Sequence, residues 1–413
     1  MNRSRREFLK KTGLAAAGLG AIALTGCGQN AAGNNAPANQ PEKAPDKAPE
    51  KAPEKRAEVK YGTIIGPGKY EDEEKKTHNV LSIINLDAMT DKRLDVDARR
   101  PRLIELAFYA HGVSPHPLFP DKAVLFEKHG AGCCEVDLRK GEVTKTITTG
   151  EDRQFYGHGA FSRDGSEMYC TEVVISERKK GVIIVRDSKT YEIQGEFPSY
   201  GTSPHDCTLI DGGATLMITN GGDKFDTNNS PPCVTFVDVK TQKQIDKFEF
   251  DTARINAGHA AITSKREIAV VSAMRDGLPA DSTGAVSFRI GKDAARTMTQ
   301  PKEITSRMKG ESLSVAIHEE TGVVGVTNPE ADLVTFWNLR EGKFIKALEL
   351  DEGGGKLVRP TGIALTLDNS FFAISFGTSR TMQLVSPQTL ELVAGARIEK
   401  SFLSGSHFIV YAL

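Results

Sequence analysis

The chain has 413 residues and a formal net charge of −1, with acidic and basic side chains in near balance. This balance excludes nucleic acid as an expected partner, because a nucleic-acid surface needs a clustered excess of lysine and arginine. Short runs of Val, Ile, Phe and Thr between Gly, Asp and Asn dominate after the first 30 residues, and this pattern predicts an all-β protein.

The first 27 residues predict export and lipidation. Arg5 and Arg6 lie in the segment Ser-Arg-Arg-Glu-Phe-Leu-Lys, which resembles a twin-arginine export signal. The Gly/Ala-rich run over residues 12–23 is shorter than the roughly 20 apolar residues that span a bilayer. It leads to Leu-Thr-Gly-Cys, which resembles a lipobox ending at Cys27; a chance arginine pair and a buried cysteine are the alternative. We therefore predict a periplasmic or cell-surface protein that acyl chains on Cys27 anchor to a membrane.

Residues 28–58 are a predicted linker, and residues 59–413 are a predicted single domain. The linker repeats Glu-Lys-Ala-Pro and Asp-Lys-Ala-Pro, where regular proline prevents helix and sheet and alternating charges keep the chain solvated. The cysteines of the domain leave two alternatives, which are one disulfide of unassigned pairing or a set of buried apolar side chains. They are Cys133, Cys134, Cys170, Cys207 and Cys233.

A repeat organises the domain. The motif Phe-Tyr-Gly-His-Gly around His158 has a near copy around His111, and alignment on this histidine gives seven equivalent positions at steps of 46 to 55 residues. The positions are His111, His158, His205, His259, Ser314, Thr361 and His407. Each unit contains segments typical of four short strands, which is the period of a β-propeller blade. We therefore predict a seven-bladed β-propeller.

The two ends of the chain are predicted to share the last blade. Only six residues follow His407, which is enough for one strand. Three further strands are predicted at residues 59–64, 79–84 and 92–96, before the first complete blade. A last blade closed by N- and C-terminal strands would join the ring and hide two sheet edges.

The repeat also predicts a ring of side chains at one face, because the first strand of each propeller blade lines the central channel. Five of the seven positions are histidine, and they are consecutive around the ring. The second strand returns to the same face and brings carboxylates and amides there. The predicted metal ligands are His111, His158, His205, His259, His407, Glu127 and Glu172, and the predicted ligand-binding rim is His129, Asn220, Ser314, Asn328 and Thr361.

Imidazoles backed by carboxylates suit a transition metal. A wide channel would keep five imidazoles from one ion, so two or three histidines with Glu127 or Glu172 are expected to bind it. The alternative is structural, since duplicated histidines could hold the loops between blades by hydrogen bonds to backbone carbonyls. Ser314 and Thr361 favour function, because a structural device is expected at every position. Familiar catalytic motifs are missing from the sequence, which argues against an enzyme.

Several motifs resemble a family of bacterial proteins of unknown function. They are Phe-Tyr-Gly-His-Gly-Ala-Phe-Ser-Arg-Asp-Gly at 155–165, Tyr-Cys-Thr-Glu at 169–172, Ser-Pro-His-Asp at 203–206 and Asn-Gly-Gly at 220–222. Members resemble WD40 or YVTN propellers and are exported by the twin-arginine route. Some are encoded beside periplasmic iron-uptake or haem-containing proteins. The resemblance therefore implies a metal-related role, with such proteins as partners.

Three functions stay open on the sequence. The first is a monomeric, lipid-anchored propeller that binds iron or copper as an accessory protein of metal homeostasis. The second is a scaffold for a partner protein, without a cofactor. The third is a metal-dependent oxidoreductase, which the missing motifs make the least favoured.

Overall fold

The computed structural model describes residues 59–90, 100–177, 179–227, 229–349, 358–405 and 407–413. The predicted export signal with Arg5 and Arg6, the lipidation site Cys27 and the linker 28–58 lie outside these residues, as does the predicted strand at 92–96. Within the described residues, no helix combines the length and the apolar character that a membrane span requires.

The described residues are folded into antiparallel β-sheets, which confirms the all-β prediction. The first sheet holds β1 (Thr63–Glu71), β2 (Thr77–Asn85) and β3 (Arg102–Leu106). The second holds β4 (Ala110–Pro115), β5 (Lys122–Gly130), β6 (Cys133–Asp137) and β7 (Glu142–Thr146), and β5 continues it into β8 (Arg153–Phe161), β9 (Glu167–Val174), β10 (Lys180–Asp187) and β11 (Ile193–Thr202).

Four further sheets follow in chain order. They hold β12 (Pro204–Ile210), β13 (Thr215–Asn220), β14 (Cys233–Asp238) and β15 (Lys243–Glu249); then β16 (Ala260–Ile262), β17 (Ile268–Ser272), β18 (Ala285–Arg289) and β19 (Arg296–Thr297); then β20 (Val315–His318), β21 (Val323–Asn328), β22 (Leu333–Asn338) and β23 (Lys343–Glu349); then β24 (Pro360–Leu365), β25 (Phe372–Phe376) and β26 (Thr381–Val385). The helices of the described part are short: α1 (Leu86–Thr90), α2 (Lys302–Thr305) and 3₁₀ turns at Asp211–Gly213 and Pro329–Ala331.

The last strand of the chain, β27 (Ile409–Tyr411), pairs antiparallel with β1. In its register Thr63 faces Tyr411 and Ile65 faces Ile409, so both ends of the domain lie in the first sheet, as predicted. The third strand of that sheet is β3, later in the chain than the strand predicted at 92–96. β1 also runs further than the predicted strand at 59–64, because Gly66 to Glu71 continue the ladder with β2.

Each sheet shares a hydrophobic core with the next one, the β4–β7 and β8–β11 halves of the second sheet share one, and the last sheet shares one with the first. The residue pairs that share a cluster are Ile65 with Leu125, Phe126 with Phe155, Tyr169 with Leu216, Phe236 with Val270, Val271 with Trp337, Phe336 with Phe372, and Ala373 with Ile64. Burial of each Val, Leu, Ile or Phe side chain among them stabilises the fold by roughly 1.5–3 kcal/mol. The strands alternate inward and outward, so both faces of a sheet contribute to a core.

The turn predicted at Asp164-Gly165 connects β8 to β9. Gly165 has a φ of +67°, a conformation that favours glycine. The Asp164 carboxylate accepts hydrogen bonds from the Ser166 backbone N–H at 3.1 Å and from the Ser162 hydroxyl at 2.7 Å. These bonds lower the pKa of Asp164 to about 2. The turn follows the C-terminal end of β8, and His158 lies within the strand before it.

The five cysteines of the domain are buried free thiols within the described residues. Burial raises the pKa of each thiol, to about 12 for Cys134 and Cys170 and to about 11 for Cys233. The structure therefore has the second alternative left by the sequence, in which the cysteines pack as small apolar side chains.

Candidate metal centre

The seven aligned positions lie at the start of, or within, the first strand of their sheets. His111, His158, His205 and Thr361 belong to β4, β8, β12 and β24. His259, Ser314 and His407 directly or closely precede β16, β20 and β27. The repeat in the sequence thus becomes a repeat in space, and it directs five imidazoles toward one another.

The five histidines form one compact group. One donor nitrogen from each of them can be chosen so that all five lie within 4.8 Å of one another. The Nε2 atoms of His111 and His205 are 3.3 Å apart, and those of His158 and His259 are 3.2 Å apart. An octahedral ion with bonds of about 2.1 Å would hold neighbouring donors about 3.0 Å apart and opposite donors about 4.2 Å apart. The group is therefore close to the size of one metal coordination shell.

The outer nitrogens of the rings have other contacts, which orient the imidazoles. His205 Nδ1 is 3.3 Å from the carbonyl of Tyr156, and His259 Nδ1 is 2.9 Å from the carbonyl of Leu313. A carbonyl accepts only, so these Nδ1 atoms carry the proton and their Nε2 lone pairs face the cluster. His158 Nδ1 lies 3.6 Å from Asp206 Oδ1 and His407 Nδ1 lies 3.5 Å from Ser314 Oγ.

The electrostatics favour the neutral form of the imidazoles. Burial lowers the pKa of His111, His205, His259 and His407 well below the usual value, and mutual repulsion among the rings adds to it. Burial also lowers the pKa of His158, although the Asp206 carboxylate opposes the shift. A neutral imidazole is the form that binds a metal.

Converging lone pairs repel each other unless a cation or a shared proton lies between them. The Nε2 atom of His407 is buried and has no hydrogen-bond partner among the described residues. Its ring centroid is 3.5 Å from that of His259, so this nitrogen belongs to the crowded centre of the group. A buried polar atom without a partner is rare in proteins and costs stability. Chemically, the arrangement could hold a metal ion.

The predicted carboxylate ligands are not brought into this group. Glu127 Oε2 accepts a hydrogen bond from the Gly132 backbone N–H at 2.8 Å. Glu172 is buried, with Oε1 at 2.9 Å from Arg186 and Oε2 at 2.5 Å from the Thr149 hydroxyl. The expectation of two or three histidines with a glutamate thus differs from the structure, which groups five imidazoles. The packing of the sheets brings one nitrogen of each of the five histidines within 4.8 Å of the others.

The predicted rim residues have different surroundings. Asn220 and Asn328 are buried and donate through Nδ2 to Thr235 and Thr335 at the same point of their sheets. Ser314 lies beside His407, and Thr361 Oγ1 is 2.9 Å from Ser375 Oγ. Of the five predicted rim residues, His129 is the one that lines the cavity beside the cluster.

A cavity of about 780 Å³ adjoins the cluster. His205 and His259 border it, together with His129, Tyr156, Lys128 and Glu311. Lys128, Asp206 and Tyr156 are not among the site residues predicted from the sequence. Asp206 directly follows a predicted ligand, and Lys128 lies between Glu127 and His129 at the end of a second strand, so the repeat itself contained a signal for both.

Comparisons with known proteins complete the description. The sequence profile of the family "Protein of unknown function (DUF1513)" matches residues 104–391. Among solved structures, the chain is similar to "Kuenenia stuttgartiensis Hydrazine Synthase", with a TM-score of 0.59 and 12% sequence identity over 82% of this chain and 99% of that one. This likeness concerns the fold alone. No curated protein sequence matches the chain.

Proposed function

We propose that this chain, which belongs to the DUF1513 family of proteins of unknown function, binds a transition-metal ion at its five histidines and serves metal homeostasis as an accessory protein. The observation that carries the proposal is the convergence of neutral imidazole nitrogens, two pairs of which approach to 3.2–3.3 Å. Without a metal ion, one ring of each pair can donate its Nε2–H to the other, but the buried Nε2 of His407 still has no partner among the described residues, and a metal ion could bind all five rings.

Iron or copper is the proposed ion. Imidazole suits iron, copper, nickel and zinc, whereas magnesium and calcium prefer oxygen. A structural zinc site is almost always tetrahedral, and five nitrogens exceed that number. The cluster contains no thiolate, since the buried cysteines lie outside it, and thiolates are what favours monovalent copper.

The proposed architecture is a closed seven-bladed β-propeller of the WD40 or YVTN kind. Seven four-stranded or three-stranded units support it, counting β4–β7 and β8–β11 as two. The cycle of shared cores, which returns from β25 to β1, supports closure of the ring. The pairing of β27 with β1 supports a last blade built from both termini.

The proposed location is the periplasm or the cell surface. The twin-arginine segment with Arg5 and Arg6 and the lipobox at Cys27 support it, and the repeated Lys-Ala-Pro linker would hold the domain away from the membrane. The lipid tether is the proposed membrane contact of a monomer. Periplasmic iron-uptake or haem proteins are its proposed partners.

Metal analysis of the full chain tests the proposal. We expect iron or copper in protein purified from its native host, and a rise in melting temperature when either ion is added to metal-depleted protein. An ion at 100 times its dissociation constant stabilises a fold by about 2.7 kcal/mol. For substitutions within the histidine cluster, the matched control is His78→Asn, because His78 pairs with Asp72 and Glu105 outside the cluster. The proposal is refuted if the purified protein contains no metal and neither ion raises its melting temperature.

Capture of a partner protein from the membrane fraction distinguishes the scaffold alternative from metal binding. A scaffold needs no ion, so a partner captured from the membrane fraction would stay bound after His158→Ala and His205→Ala. A metal-dependent partner would be lost with either substitution.

A further inference from the structure

The ligand set of the proposed site carries no charge of its own. All five donors are neutral imidazoles, so a bound divalent ion would keep its full charge. Among the contacts of these rings in the described part of the chain, one carboxylate occurs, with Asp206 Oδ1 at 3.6 Å from His158 Nδ1. One outer carboxylate neutralises at most half of a divalent charge. The remainder calls for a further anion in a site of low dielectric constant.

A lysine beside the cluster increases this demand. Lys128 lies near the end of β5 and lines the cavity with His205 and His259. Its positive charge lowers the pKa of His111, His158, His205 and His407, which places it within electrostatic reach of four of the five rings. A metal ion and an ammonium group on the same side of a cavity repel each other unless an anion lies between them.

Some cationic side chains that line the cavity are not in an ion pair and are therefore suited to bind such an anion. Arg275 is paired with Asp223 at 2.7 Å, and Lys180 is paired with Glu177 at 3.0 Å. Lys128, Lys179 and Lys224 line the same cavity without an ion pair within 4 Å among the described residues. Glu311 and Asp276 also line it and act on Lys128 from a greater distance. These acids limit the net positive charge, so a small monoanion suits the cavity better than a polyanion.

We infer that the cavity binds a small carboxylate, which contacts Lys128 and completes the coordination of the metal beside His205 and His259. Five imidazoles leave one position of an octahedral ion for an oxygen ligand. Those two histidines border the cavity, so that position is reached from it. This inference rests on the proposed metal site and adds a second component to it.

Acetate titration into the copper-loaded full chain tests the inference. Acetate should shift the ligand-field absorption and the electron paramagnetic resonance spectrum of divalent copper in a saturable way. Lys128→Gln should weaken the apparent acetate affinity about tenfold, because a charge-assisted hydrogen bond is lost. Lys140→Gln is the matched control, since Lys140 lies on the β6–β7 turn near Asp137 and Glu142, and it should leave the affinity unchanged.

Glu311→Gln gives a test of opposite sign. Removing an acid from the cavity should strengthen acetate binding severalfold while copper content stays the same. Copper stoichiometry and melting temperature are measured for every variant, so a misfolded protein is recognised. The inference is overturned if acetate does not change the spectrum of the copper-loaded protein, or if Lys128→Gln binds acetate as tightly as the unchanged protein. The proposed metal site would not be affected by either result. A protein that takes up no metal overturns both.

Discussion

The seven aligned positions of the repeat fall into two groups, here called arcs, which differ in chemistry while sharing one position in the repeat. One arc carries the five histidines, and the other carries Ser314 and Thr361. At both arcs a hydroxyl of the second strand binds the backbone there. Thr171 Oγ1 donates to the His158 carbonyl at 2.9 Å, and Thr327 Oγ1 donates to the Thr361 carbonyl at 2.7 Å.

Hydroxyl groups of second strands join neighbouring sheets. Thr327 belongs to β21 and Thr361 to β24, so this bond joins two neighbouring sheets. Thr219 makes the corresponding bond to the Gly258 carbonyl at 2.6 Å. Backbone attachment is therefore provided by second-strand hydroxyls, with or without a histidine at the aligned position. His205 and His259 also bind carbonyls of neighbouring sheets through Nδ1, but their Nε2 atoms take no part in this attachment and are left for binding.

The largest effect is expected from breaking the histidine arc. His205→Ala with His259→Ala should abolish the metal-dependent rise in melting temperature, because two of five donors and both cavity-facing rings are lost. Thr361→Ala, in the other arc, should leave the rise intact. Differential scanning calorimetry with and without copper measures both, and a rise that survives the double substitution contradicts the metal assignment.

Acid should affect the histidine arc next most strongly. The folded pKa of these histidines is depressed below the unfolded value of about 6.5, so the unfolded chain takes up protons first as the pH falls. Metal-free protein should therefore be most stable above about pH 6.5 and lose at least about 1.4 kcal/mol per pH unit below it, the slope of one proton.

Urea unfolding between pH 5 and 8 measures this loss. His259→Asn should flatten the profile because one buried titrating ring is removed. A profile that is equally steep in the variant would show that other groups cause it.

The orienting contacts should matter less than the ligands. Asp206→Asn removes the carboxylate beside His158 Nδ1, and loss of such an outer partner typically weakens metal affinity about 10–100-fold. Competition with a chelator of known affinity measures the change. Asp164→Asn, on the turn that follows β8, is the control and should leave the metal affinity unaltered.

The smallest effect should separate the two arcs most cleanly. Thr327→Val leaves the Thr361 carbonyl without its donor and should cost about 1–3 kcal/mol of folding free energy. Metal affinity should stay unchanged, since Thr327 lies in the arc of Ser314 and Thr361. Chemical unfolding and copper titration of the same sample check both halves, and weakened copper binding would show that the arcs are coupled.

Much of the site could be read from the repeat. The alignment on Phe-Tyr-Gly-His-Gly identified all five histidines of the cluster, because equivalent positions in repeated sheets come together wherever the sheets surround an axis. The predicted glutamate ligands of the second strands do not join the cluster. Glu127 and Glu172 share the repeat, but Glu127 accepts a hydrogen bond from Gly132 and Glu172 pairs with Arg186. Period alone does not say on which side of a strand a long side chain finds its partner.

By itself, the sequence determined the all-β class, the place of a C-terminal strand beside the N-terminal strands and the identity of the five histidines, since these follow from local pattern and chain position. The tertiary structure decided the rest. It brought five imidazoles within 4.8 Å, placed Lys128 and Asp206 beside them and opened a cavity of about 780 Å³ at His205 and His259. Distances across a ring depend on how the sheets pack, and packing sums contacts from residues far apart in the chain.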